Sequence, residues 1–182
     1  GLAGGMALFG FGAYAVAAYL AGSAELAALC TIIAAANLAF LFFNFHPAKI
    51  FMGDAGSIPL GFLAAAIGLS GWQQGAWSVW FPILVFSPFI VDASTTLLKR
   101  ILRRENIWQA HKSHYYQRLV QMGWGHWKTA LMEYGVMLLV GASGVFALTC
   151  SGWPTVAVIA SWGLIYPIIM VLIDRAWARR HP

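Results

Sequence analysis

At 182 residues, 60% hydrophobic and only 9% charged, the chain departs sharply from water-soluble domains, which carry about 25% charged residues. A mean hydropathy of +0.73 with a net charge of +5 excludes a soluble fold and leaves an integral membrane protein. The two cysteines, Cys30 and Cys150, form no C-x-x-C pattern, which argues against a zinc or redox site and leaves them as small apolar residues.

Six apolar runs follow in order. The first, about 2–21, opens with Gly4, Gly5, Gly10 and Gly12, small residues that let membrane helices approach closely. A short polar connection at Gly22, Ser23 and Glu25 leads to the second run, about 26–43. The segment 44–57 comes next, then a short third run, about 58–69, that spans a bilayer only if its flanks join the helix. Trp72 and Trp77 in the following turn suit a membrane–water interface. The fourth run, about 79–98, contains Pro82, Pro88 and Asp92; the long polar segment 99–128 follows, then runs at about 129–148 and 155–173. The fold expected is an all-α, polytopic transmembrane helix bundle of about six spans, one domain over 1–182 with cytoplasmic loops at 44–57 and 99–128. No run looks like a cleavable signal peptide, and a start at Gly1 inside an apolar stretch is what a processed chain or, more readily, a fragment is expected to show.

Charge sets the orientation. With the first run leaving the cytoplasm, Lys49, the block Lys99 to Lys128 and the tail Arg175, Arg179 and Arg180 place all eleven basic residues on one side, as the positive-inside rule requires. Such clusters ordinarily attract anionic lipid headgroups or a phosphate-bearing substrate, and they need not mean nucleic acid.

Asp54 is one of only six carboxylates, and Gly53 and Gly56 beside it let backbone approach a ligand. It could hold a hard divalent cation through oxygen, or it could cap the next helix together with Ser57. Asp92 lies roughly 10 Å inside the fourth run. Asp92, Thr95, Thr96, Lys99 and Arg103 recur at helical steps and form one polar stripe, which fits a functional cavity or a structural pair. His111, His114 and Arg118 fall at i, i+3 and i+7, so that one helical face would carry all three. They lack the further ligands of a zinc site, and with Lys112 alongside they suit anion binding. Trp108, Tyr115, Leu119 and Met122 suit a short helix lying at the membrane surface.

Two stretches together resemble a known family. Asn44…Pro47-Ala-Lys-Ile-Phe-Met-Gly-Asp54-Ala-Gly-Ser57 resembles the Gly-Asp-x-Gly-Ser loop of the polyprenyl-phosphate N-acetylhexosamine-1-phosphate transferases (glycosyltransferase family 4). His111-x-x-His114, two spans later, resembles their histidine motif, and Gly1-Leu-Ala-Gly looks like the tail of their Asp-Gly-x-Asp-Gly-Leu motif. The resemblance covers the family's C-terminal half. The form His-Lys-Ser-His-Tyr-Tyr-Gln-Arg is nearest the branch that initiates O-antigen and other surface polysaccharides, and it departs from the three consecutive histidines of the peptidoglycan enzymes.

The resemblance implies a phosphoglycosyl transferase that moves a sugar-1-phosphate from a UDP-N-acetylhexosamine to polyprenyl (undecaprenyl) phosphate and releases UMP. It implies Mg²⁺, with Mn²⁺ as a substitute, held by Asp54; Phe51 stacked on uracil; Asn44 in the nucleotide pocket; and His111, His114 and Arg118 on the pyrophosphate. Lys49 and Asp92 would stand at the rim. It also implies a multi-pass protein of the bacterial inner membrane whose active face is cytoplasmic, with homodimerisation left open. The family's adjacent-aspartate motif is missing from this chain, so these residues alone are expected to be inactive. A non-catalytic membrane scaffold or transporter module is the alternative. A CDP-alcohol phosphatidyltransferase would need several clustered aspartates that the lone Asp54 does not supply.

Overall fold

Every apolar run of the sequence is helical. A computed structural model of the chain describes residues 1–105 and 114–180. These hold α1 (Leu2–Leu20), α2 (Ala24–Asn44), α3 (Gly53–Gln73), α4 (Trp80–Val85), α5 (Ser87–Leu102), α6 (Tyr115–Leu119), a π-type turn at Val120–Trp124, α7 (His126–Thr149) and α8 (Trp153–Arg180), with no strand among the described residues. Five of them, α1, α2, α3, α7 and α8, are each long and apolar enough to cross a membrane. The fourth run completes the set of about six as two helices, α4 and α5, which together reach from Trp80 to Leu102.

The break between α4 and α5 has a chemical cause. Pro88 lacks an N–H and its ring crowds the carbonyl four residues earlier, on Leu84. That carbonyl is satisfied instead by the Ser87 hydroxyl, which donates to it at 2.6 Å and also lies 2.6 Å from the Tyr166 hydroxyl of α8. Neighbouring side chains thus repair the backbone at the kink, as a low-dielectric surrounding demands.

Helix α1 is apolar on all sides and is the hub, packing on α2, α3, α4 and α7. Its small residues seat aromatic rings. A Cβ on Gly5 would lie 2.0 Å from the Tyr134 ring and one on Gly10 would lie 2.5 Å from Phe86, whereas Gly12 has no neighbour within 4 Å. The core of the bundle centres on Tyr14, Phe11, Phe81 and Trp77. Tyr14 stacks on Trp77 at 4.8 Å and donates to the Ala64 carbonyl at 3.2 Å.

Two expectations need correction. Trp72 is exposed as an interfacial residue would be, but Trp77 is 4% exposed. Its indole N–H donates to the Gly68 carbonyl at 2.9 Å, and Gly71 leaves room for the ring, so a buried donor is fully partnered. The segment 44–57 is also only partly loop: Gly53 turns the chain at φ +61°, and Gly53 to Ser57 form the first turn of α3. Those flanking residues give the short third run its spanning length. Cys30 is fully buried in the core, Cys150 is partly exposed, and both are free thiols.

A methyl group at Gly71 would meet the Trp77 ring at 2.1 Å. Gly71→Ala is therefore expected to cost about 1–3 kcal/mol through overpacking, measurable as a lowered thermal midpoint in detergent.

Candidate active site

Both polar connections lie at one end of the bundle. His46, between α2 and α3, stacks on His126 at the start of α7 with ring centroids 6.1 Å apart. Tyr134 of α7 donates to the Gly1 carbonyl at 2.7 Å, and Arg180 at the end of α8 donates to the Met122 carbonyl.

The first connection is folded tightly against the end of α2. The backbone N–H of Lys49 donates to the Phe43 carbonyl at 2.8 Å. The buried Asn44 amide donates to the Ile50 carbonyl at 2.7 Å, which braces the turn from within. Phe51 is 81% exposed, and Lys49 and Asp54 are exposed beside it. The helix-cap alternative for Asp54 does not describe the geometry: Met52 is the N-cap of α3 and no side chain caps it. Asp54 stands in the first turn, where the helix dipole favours a negative charge. Its carboxylate has no hydrogen bond or ion pair with a described residue.

No group of three or more His, Cys, Asp or Glu is placed to hold a metal among the described residues. A magnesium ion takes one or two protein carboxylates and completes its shell with water and phosphate. A single exposed, unengaged carboxylate between two glycines fits one such ligand.

The second connection is organised by two carboxylates. Asp92 Oδ1 accepts from the Thr96 hydroxyl at 3.1 Å and from the Tyr115 backbone N–H at 2.9 Å, and His114 Nδ1 lies 3.5 Å away. Asp92 thereby fixes the start of α6 to α5. Asp174 of α8 is ion-paired to Lys99 and to Arg118, the latter at 2.9 Å, and accepts from the Tyr115 hydroxyl at 3.2 Å. Lys99 also donates to that hydroxyl, and the Arg118 guanidinium lies over the Tyr115 and Trp177 rings at 5.3 and 5.6 Å. Burial pushes the Tyr115 phenol above its ordinary value even with Lys99 alongside. Burial, reinforced by the Asp92 charge, does the same for Tyr116. Both remain protonated donors at neutral pH.

The structure thus joins Asp92, His114 and Arg118 in one cluster, while Asn44, Lys49, Phe51 and Asp54 belong to the neighbouring connection. His111, with Lys112 and Trp108, lies outside the described residues. His114 is not within a helix: it is extended at φ −60°, ψ 151°, and its N–H donates to Gln117 at 3.2 Å, so it caps α6 instead of sharing a continuous helical face with Arg118. The apolar face of the segment after it packs on protein. Tyr115, Leu119 and Met122 are buried against Ile173 of α8, because an apolar helix face finds a better partner in a neighbouring helix than in the headgroup layer. The polar stripe of α5 also divides, since Arg103 turns to Glu105 at 3.9 Å while Lys99 goes to Asp174. Asp174 escaped the sequence reading. The argument that flagged Asp92, an acidic residue near the end of a span, applies to it equally.

A charge-assisted hydrogen bond is worth about 1.5–3 kcal/mol. Asp92→Ala is therefore expected to release the start of α6 and to speed hydrogen exchange at the Tyr115 amide by about ten- to a hundredfold.

Comparison with known proteins bears on this arrangement. Residues 1–71 match the profile of Glycosyl transferase family 4. The chain is 33% identical over 161 residues to a probable undecaprenyl-phosphate N-acetylglucosaminyl 1-phosphate transferase of Bacillus subtilis, which covers 87% of this chain and 45% of that protein. It is 34% identical over 149 residues to a phospho-N-acetylmuramoyl-pentapeptide-transferase of Staphylococcus epidermidis, covering 80% of this chain and 44% of that protein. The same enzyme of Geobacillus kaustophilus is 34% identical over 146 residues, again across 80% of this chain and 44% of the other. The chain spans less than half the length of these relatives. No solved structure matches it. On these likenesses the chain resembles glycosyl transferase family 4, and within it the polyprenyl-phosphate N-acetylhexosamine-1-phosphate transferases.

Proposed function

We propose that this multi-pass membrane protein serves a reaction in which a UDP-N-acetylhexosamine and polyprenyl (undecaprenyl) phosphate give a polyprenyl diphosphate sugar and UMP. The observation that carries the proposal is the Asp54 carboxylate, without a hydrogen bond or ion pair to a described residue, at the same end of the bundle as the cations Lys99 and Arg118 and the neighbouring His114. Two anions must meet in this chemistry, and neither approaches the other without positive charge between them.

In the reaction proposed, an oxygen of the polyprenyl phosphate attacks the β-phosphorus of the sugar nucleotide. The bond from that phosphorus to the bridging oxygen breaks, and UMP leaves with the oxygen. Asp54 would hold Mg²⁺, which when bound offsets phosphate charge. The chain's own contribution is largely positioning and electrostatics. Arg118 and His114 bind the diphosphate, Arg118 through its planar fork. Exposed Phe51 stacks on the uracil, and Lys49 stands at the rim. Asn44 acts from below, bracing the Ile50 carbonyl and with it the backbone that presents Phe51.

The lipid substrate has a matching surface. An apolar cavity of about 480 Å³ runs between α1, α3 and the α4–α5 kink, lined by Phe11, Leu60, Ile83 and Phe86 and reaching Met52 and Ser57 close to Asp54. An isoprenoid chain seated there would bring its phosphate toward the polar end.

The loop sequence His-Lys-Ser-His-Tyr-Tyr-Gln-Arg supports an N-acetylhexosamine donor over muramoyl-pentapeptide, and a product that starts a surface polysaccharide such as O-antigen. The excess of basic residues at this end supports a cytoplasmic face on the bacterial inner membrane.

In the full-length protein, Asp54→Asn is expected to lower UMP release by more than about a hundredfold while membrane insertion is retained. Normal turnover would remove Asp54 from the mechanism. A panel of UDP-sugars assayed with undecaprenyl phosphate is expected to show turnover with N-acetylhexosamine donors and none with the muramoyl-pentapeptide donor.

A further inference from the structure

Asp174 is absent from every motif discussed above, yet it is the anchor of the cationic cluster. It stands near the end of α8, far in sequence from the residues it touches. Its two oxygens divide the work: Oδ1 takes Arg118 at 2.9 Å, while Oδ2 takes Lys99 and the Tyr115 hydroxyl. Lys99 and Arg118 come from different segments, and both lie over the same ring, at 5.0 and 5.3 Å from the Tyr115 centroid. Two cations held so close repel, and more strongly where the surroundings are only partly hydrated. A carboxylate between them removes that cost and leaves the group with a net positive charge. It also fixes where the remaining N–H donors of Arg118 and Lys99 can point, and Arg118 is the more constrained of the two, at 12% side-chain exposure.

We propose that Asp174 is a positioning residue, holding Lys99 and Arg118 together as a preassembled pair that receives the diphosphate of the sugar nucleotide. The inference rests on the reading of this cluster as the donor phosphate site. It predicts that Asp174 affects donor binding and not the lipid substrate, because among the described residues its polar contacts are with the two cations and Tyr115. Preassembly removes the need to bring like charges together when the donor arrives.

The test uses full-length protein in membranes, with Asp174→Asn, Asp174→Glu and Arg118→Gln assayed for UMP release while each substrate is varied in turn. For Asp174→Asn, KM for the UDP-sugar is expected to rise about tenfold, the scale of one lost charge-assisted contact. The KM for polyprenyl phosphate and kcat should stay within about twofold. Asp174→Glu, which keeps the charge, is expected to recover most of the donor KM. An unchanged donor KM in Asp174→Asn, or an equal loss across both substrates and kcat, would overturn the proposal. So would failure of both Asp174 variants to accumulate in the membrane, which would assign the residue to folding. Arg118→Gln separates the two layers of the argument. If it leaves donor KM unchanged, the phosphate-site reading itself fails; if it raises donor KM and Asp174→Asn does not, only the role of Asp174 is lost.

Discussion

An ionised side chain near the edge of a bilayer has to find a counter-charge or water, and the chemical end of this protein is built from that constraint. Asp92 lies within α5 and Asp174 in the C-terminal part of α8, and each meets groups from the polar segment between α5 and α7. Those contacts, with the burial of Tyr115, Leu119 and Met122 against α8, convert a basic segment into a seated structure. Without the two carboxylates, the same residues would be a cationic strip attracted to whatever anionic lipid was nearest.

The opposite strategy governs the rest of the bundle. There the polar groups are few, and their partners are close at hand. Tyr14 and Trp77 donate to backbone carbonyls of α3, and Ser87 serves the carbonyl that Pro88 leaves open. Glycines set against rings at Gly5, Gly10 and Gly71 supply shape complementarity where lipid supplies no hydrophobic drive between helices. Rigidity is concentrated around α1, while α8 remains peripheral, with only Trp162 and Ile173 buried.

Sequence reasoning reached the helices and the placing of the polar segments because hydropathy and charge report environment directly. It also brought Asp92 and His114 into view, since a carboxylate within a span has to face something polar. It could not name the partner. Asp174 and Arg118 are 56 positions apart, and only tertiary packing of α6 on α8 makes them neighbours. Trp77 went astray for a related reason: indole suits both a headgroup layer and a core, and Gly71 and the Gly68 carbonyl decide between them. The helical spacing of the histidine motif misled because His114 is the residue at which the helix begins.

The interruption at Phe86 has a mechanical consequence. On one side, α4 is locked by Phe81, Leu84 and Val85 into the aromatic core; on the other, α5 carries Asp92, Thr96 and Lys99 with a largely exposed apolar flank. A crossing divided in this way joins a packed root to a blade held sideways by polar contacts, at Ser87 to Tyr166, at Asp92 to the start of α6 and at Lys99 to Asp174. The direction of the blade's charges is thereby set by α6 and α8, while the packing of the root depends on α1 and its aromatic neighbours.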